Sequence, residues 1–244
     1  VDPAHGILFR GMPIPEVLKK LPKARGGKMP LVGGFYYLLM IGELPTKEQA
    51  QDVEAEWAKR SAVPDYVFKM LKTMPKETHP MTLFSQAVLA LQNGSVFASK
   101  YHSMKKDVYW EAALEDSLDL TAKLPIIAAF IHRMKVYGET KKPKYNPKLD
   151  YGANFSRMMG VADKKGYAEL ARLYFILHSD HESGNVSAHT MHLVGSALSD
   201  PYLSFSAALN GLAGPLHGLA NQECLGWLLE VHKKFGGVPS RDDL

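Results

Sequence analysis

The segment 108–137 constrains this chain most. It reads as one long helical stretch in which Leu118, Leu120, Leu124, Ile127 and Ile131 fall on more than one side of the helix. A helix that is apolar on several sides has to be surrounded by other elements. Pro125, in its middle, lacks a backbone donor and is expected to break or kink it. The rest of the chain supplies the surrounding helices. Thr46 and Gln49 have capping-box spacing, and good helix formers follow to about Arg60. The apolar run Leu31 to Ile41 reads as a buried helix. Pro64 opens another helix with Val67, Met70 and Leu71 on one face, and Pro80 to Leu91 forms a further one, ended by Asn93-Gly94.

Towards the carboxyl end the same punctuation continues. A helix is expected from about Gly166 to His181. Asn185 caps the next, which should be buried and end near Ser199, and Asp200 caps another with Pro201 in its first turn. Gly211 is expected to end that helix in the left-handed conformation. The last helix is expected from Pro215 to about Phe235, stopping at Gly236-Gly237. Only Gly6 to Met12 hints at extended chain. There is no internal repeat, low-complexity tract or interdomain linker, so the fold class is all-α.

Composition restricts the partners. The chain has 244 residues, 46% hydrophobic and 22% charged, with a formal charge of +4. That charge suits small anions and is too mild for nucleic acid. Lys141, Lys142, Lys144 and Lys148, interleaved with Pro143 and Pro147, form a solvated loop. No stretch reaches the roughly 20 apolar residues that cross a bilayer. Val1-Asp2-Pro3 shows no targeting pattern, so any import sequence is expected to have been removed or not included. The single cysteine, Cys224, excludes an internal disulfide and reads as a buried structural thiol.

The chemistry concentrates in two stretches. In Gly211-Leu212-Ala213-Gly214-Pro215-Leu216-His217-Gly218, Pro215 suits a first helical position, which puts His217 in the first turn. The helix field there disfavours imidazolium. A neutral ring can donate to a carbonyl oxygen that gains charge during reaction. On spacing alone, a histidine that merely packs is the commoner outcome. In the second stretch, His178 and His181 are three apart, and His189 and His192 repeat the spacing. With Glu182 these could hold zinc, but His-x-x-His-Glu is not a zincin signature, so a metal site is not favoured. Asn185 instead caps a helix whose first amides, around Val186 and Ser187, can attract a carboxylate, with His181 beside it.

The run His178-Ser179-Asp180-His181-Glu182-Ser183-Gly184-Asn185-Val186-Ser187-Ala188-His189-Thr190, then Gly195-Ser196-Ala197-Leu198-Ser199-Asp200-Pro201-Tyr202 and the His217 segment, resembles the citrate synthase family, most closely its eukaryotic mitochondrial form. Weaker similarity extends through Phe9-Arg10-Gly11, Ile41-Gly42-Glu43-Leu44-Pro45-Thr46, Glu56-Trp57-Ala58, His79-Pro80-Met81, Tyr109-Trp110-Glu111 and Ala122-Lys123-Leu124-Pro125. The resemblance implies that residues 1–244 are part of the family's large helical domain. It implies condensation of acetyl-CoA with oxaloacetate and water to give citrate and CoA. His217 is implied as the catalytic donor and His181 as an oxaloacetate ligand. Ser187 is implied to orient His217, with Asn185 supporting the pocket and Leu216 contributing to acetyl-CoA binding. Acetyl-CoA is a co-substrate, and no permanently bound cofactor or metal is implied. A homodimer and the mitochondrial matrix follow from the same likeness.

The sequence also departs from the family pattern. The family's second catalytic histidine, its catalytic aspartate and its smaller domain correspond to sequence beyond Leu244. After His217 come only His232, in the same expected helix, and the terminal Asp242 and Asp243. The 244 residues alone are therefore expected not to catalyse. Two explanations stand: a portion of a complete synthase, or a short relative with a binding or structural role. A 2-methylcitrate synthase acting on propionyl-CoA is a further alternative, since one methylene changes binding by only about 1–3 kcal/mol.

Overall fold

The computed structural model describes residues 6–179 and 184–243. In chain order these form β1 (Leu8–Phe9), β2 (Met12–Pro13), α1 (Ile14–Lys20), α2 (Val32–Ile41), α3 (Lys47–Arg60), α4 (Asp65–Thr73), α5 (Pro80–Leu91), α6 (Val96–Lys100), α7 (Tyr109–Tyr137), α8 (Tyr151–Met159), α9 (Lys164–Leu177), α10 (Val186–Ser196), α11 (Pro201–Leu212) and α12 (Ala220–Phe235). β1 and β2 make a two-stranded antiparallel hairpin, with Phe9 opposite Met12. The fold is all-α, as the pattern of caps and apolar faces requires, and no helix among the described residues is long and apolar enough to cross a membrane.

α7 is the centre. α3, α5, α6, α8 and α11 all pack against it, and Leu120, Ile127 and Ile131 are buried. The expected break at Pro125 does not occur: α7 is continuous from Tyr109 to Tyr137. Proline removes the donor that would reach the carbonyl four residues earlier, here that of Thr121. The Tyr151 hydroxyl donates to that carbonyl instead, at 2.8 Å. A side chain from α8 thus completes the hydrogen bonding that the proline interrupts.

The main core lies between α4, α5, α7 and α11, where Phe68 meets Phe130 edge to face at 4.9 Å. α5 and α11 are clasped by two buried serines, Ser85 and Ser206, whose hydroxyl oxygens are 2.7 Å apart. A second junction joins α2, α3 and α8. The buried Glu54 carboxylate accepts the Gly33 N–H at 2.9 Å and the Tyr151 N–H at 2.5 Å, one from each helix start. Burial pushes its carboxyl up to about 7, against the pull of those two donors. Asp150 caps α8 through the Ala153 N–H and also receives Arg172 of α9 in a two-pronged ion pair at 3.0 and 2.8 Å.

α11 carries the functional region outward. It packs on α5 below and on α10 above, and Asp200 caps it by accepting the Tyr202 and Leu203 N–H groups. The expectation that α10 is buried is corrected: none of its residues is buried, and Leu193 is 64% exposed. It ends at Ser196 rather than near Ser199, because the chain turns at Leu198, a non-glycine residue with φ 61°. α12 likewise buries no residue, so Cys224 is exposed rather than a buried thiol.

Candidate functional site around His217

The site grows from the start of α10. Asn185 precedes the helix in extended conformation, and its side-chain oxygen accepts the Ala188 N–H at 3.0 Å. This satisfies one of the donors that every helix start leaves open. Ser187 follows two residues later, and its hydroxyl donates to the same Asn185 oxygen at 2.7 Å. The serine Oγ is also 2.8 Å from Nε2 of His217, thirty residues away in sequence.

Two glycines permit that meeting. Gly211 lies inside α11, not at a left-handed stop as expected; α11 continues to Leu212 and closes at Ala213 in the helical region. A Cβ on Gly211 would come within 2.8 Å of Val186 Cγ1. Its missing side chain therefore lets α11 approach the first residue of α10. Gly218 sits against the end of α11, where a Cβ would lie 2.5 Å from the Leu212 carbonyl oxygen. Its N–H donates to that carbonyl at 3.0 Å. The turn carrying His217 is thus folded back onto the helix that precedes it.

The same tether corrects the expected placement of His217. α12 begins at Ala220, so Pro215 is not a first helical residue and His217 lies in the turn ahead of the helix. The His217 N–H donates to Gly214 at 3.0 Å, and its carbonyl accepts the Ala220 N–H at 3.2 Å. With Gly218 held by Leu212, residues 214–219 close as tight turns instead of a first helical turn. A helix field fades within that first turn. Hydrogen bonding to Ser187, more than the field of α12, therefore governs the half-buried ring.

The remaining expectations divide. Asn185, Ser187 and His217 come together. Leu216 adjoins His217 in the chain, and its side chain is fully exposed. His181 and Glu182 lie outside the described residues. His178 is stacked on Tyr174 at 4.0 Å, with Nδ1 3.0 Å from the Tyr174 carbonyl. Among the described residues no three or more His, Cys, Asp or Glu side chains are grouped as metal ligands.

The other end of α10 borders a groove of about 460 Å³ that the sequence did not reveal. Phe97, Tyr109, Trp110, Met191 and Leu198 form much of its apolar wall. Trp110 is 63% exposed and Leu198 44%. The signal present in the sequence was Tyr109-Trp110 at the start of α7, large aromatics at a position where α7 has left its own core.

Comparison with known proteins places these features in a wider frame. A family profile described as "Citrate synthase, C-terminal domain" matches residues 1–240. The chain is 53% identical over 246 aligned positions to the probable mitochondrial citrate synthase of Glossina morsitans morsitans, covering 100% of this chain and 52% of that protein. It is 54% identical to the mitochondrial citrate synthase of Kajikia audax, covering 98% and 51%. The chain therefore spans about half the length of the curated relatives it matches. The crystal structure of citrate synthase from Pyrobaculum aerophilum superimposes with a TM-score of 0.77 at 29% identity, over 91% of this chain and 53% of that one. That from Thermotoga maritima MSB8 has a TM-score of 0.68 at 23% identity, a likeness of fold over the same shares.

Proposed function

The chain belongs to the citrate synthase family, and from that premise we propose that it forms part of the large helical domain of an enzyme that condenses acetyl-CoA with oxaloacetate and water to give citrate and CoA. The observation that carries the reading is the 2.8 Å contact between Ser187, at the start of α10, and His217, permitted by Gly211 in α11 and Gly218 in the turn after it. Enolising a thioester methyl group needs a base at carbon and a donor at oxygen. His217, oriented through Nε2 by Ser187, offers Nδ1 to the thioester oxygen, where a hydrogen bond strengthens as the oxygen gains charge. His181 serves as an oxaloacetate ligand, and Leu216, exposed beside His217, contributes to the acetyl-CoA contact. The base and the second histidine belong to family sequence that this chain does not match. No permanently bound cofactor or metal is invoked.

The assembly is a homodimer. The apolar groove at the α7–α10–α11 surface, whose lining leaves Trp110 63% and Leu198 44% exposed, supports a second copy as its occupant. The relatives are named as mitochondrial, which supports the mitochondrial matrix as the compartment. The test is turnover of the polypeptide encoded by the complete reading frame, with acetyl-CoA and with propionyl-CoA. Citrate formation with acetyl-CoA preferred is expected. Preference for propionyl-CoA would favour a 2-methylcitrate synthase, and no condensation with either would leave a binding or structural role. Sedimentation of the same protein as a monomer would overturn the dimer.

A further inference from the structure

Ser187 has one hydroxyl proton and two neighbours able to accept it. We infer that Asn185 is a positioning residue that, through Ser187, sets which ring nitrogen of His217 carries the proton.

The side-chain oxygen of Asn185 is identified by its partner: it accepts the Ala188 N–H at 3.0 Å, which the amide nitrogen could not do. Ser187 Oγ lies 2.7 Å from that same oxygen. An amide oxygen has no proton to give, so the hydroxyl donates. Its lone pairs then face Nε2 of His217 at 2.8 Å. A neutral ring meeting a lone pair must donate, which places its proton on Nε2 and leaves Nδ1 unprotonated. The opposite arrangement, with Ser187 donating to Nε2 and the ring proton on Nδ1, would leave two oxygen lone pairs facing each other across 2.7 Å. Asn185 opposes that arrangement without touching the ring. Its cap to Ala188 keeps it from turning away, because rotating the amide would place an NH2 group against a backbone N–H.

The catalytic consequence, which rests on the function proposed above, is that donation from Nδ1 of a neutral ring requires the ring to give up its Nε2 proton to solvent water and take one at Nδ1, while Ser187 turns its O–H from Asn185 to the freed Nε2. Asn185 then sets how readily the resting ring becomes a donor.

The test is nitrogen NMR of the 244-residue chain with 15N-labelled histidine, at about pH 8.5, above the ordinary histidine range. The His217 signal is identified by its loss in His217→Gln. Wild type is expected to show the proton on Nε2. Asn185→Ala should move the ratio of the two ring forms about fivefold towards Nδ1–H, the size of one neutral hydrogen bond. Asn185→Asp, which keeps both the cap and the acceptor, should restore the Nε2–H form. Ser187→Ala should release the ring to the ratio of free histidine. A wild-type ring protonated mainly on Nδ1 would overturn the inference. So would an unchanged ratio in Asn185→Ala with α10 intact by circular dichroism. If that variant loses α10, an unchanged ratio in Ser187→Ala overturns it. Ring protonation is read without turnover. A wrong ring form together with citrate formation refutes this inference alone, and the expected ring form without condensation refutes the proposed function alone.

Discussion

The carboxyl group of Glu54 links stability to pH in a direction opposite to that of an ordinary surface carboxylate. It is 9% exposed and sits between the starts of α2 and α8, with Asp150, Arg172, Tyr145 and Tyr151 as its charged and titratable neighbours. Burial raises its folded value to about 7 from 4.5. Between those values the folded chain binds the proton more tightly than the unfolded chain, so stability falls as pH rises. At 1.36 kcal/mol per unit, the window from pH 4.5 to 7 spans about 3 kcal/mol, all of it lost by pH 8. Glu54→Gln removes the titration. Its NH2 group cannot accept the backbone N–H that the hydroxyl oxygen of the protonated acid still can, so the variant should start below wild type near pH 4.5, and the change of that difference with pH carries the test. Urea unfolding of both proteins at several pH values measures this. The difference between the two curves cancels the other titrating groups. The variant should gain on wild type by about 3 kcal/mol between pH 4.5 and 8. Parallel curves, or a wild type that gains with rising pH, would refute the reasoning.

Three further outcomes follow from the packing. Tyr151→Phe should destabilise by about 1–3 kcal/mol, because the Thr121 carbonyl loses its donor; Pro125→Ala in the same background should recover part of that cost by restoring a backbone N–H, and a double-mutant cycle in urea reads the coupling. Gly152→Ala favours the helix by about 1 kcal/mol on propensity, yet its Cβ would lie 2.6 Å from Cγ of the buried Arg172; a net loss of about 1–3 kcal/mol is expected on denaturant unfolding. Asp200→Ala removes the cap of α11 and the acceptor of Gln92 Nε2 at 2.8 Å, so the thermal midpoint should drop by the equivalent of about 2 kcal/mol, and Asp200→Asn should cost less.

What the sequence revealed was its local chemistry. The Thr46–Gln49 capping box has both reciprocal hydrogen bonds, the Pro80–Leu91 helix has the expected bounds, and Asn185 and Asp200 cap the helices assigned to them. Each of these depends on residues within a few positions of one another. The failures depend on distant partners. Pro125 reads as a breaker until Tyr151, which follows a long loop, supplies the missing donor. Pro215 reads as a helix start until Gly218 is seen to bond back to Leu212. α8 escaped notice because its nine residues mix polar and apolar types, and its order comes from Asp150, Arg172 and Glu54. At the site, the residue types were legible, but the route of protons among Asn185, Ser187 and His217 needed their distances.

The most direct measurement is citrate formation by the complete protein with His217 replaced by alanine, compared with the unaltered protein at saturating oxaloacetate and acetyl-CoA. A donor at the thioester oxygen predicts a loss of about 10²–10³ in kcat with the helical content retained. Undiminished turnover by the alanine variant would contradict it.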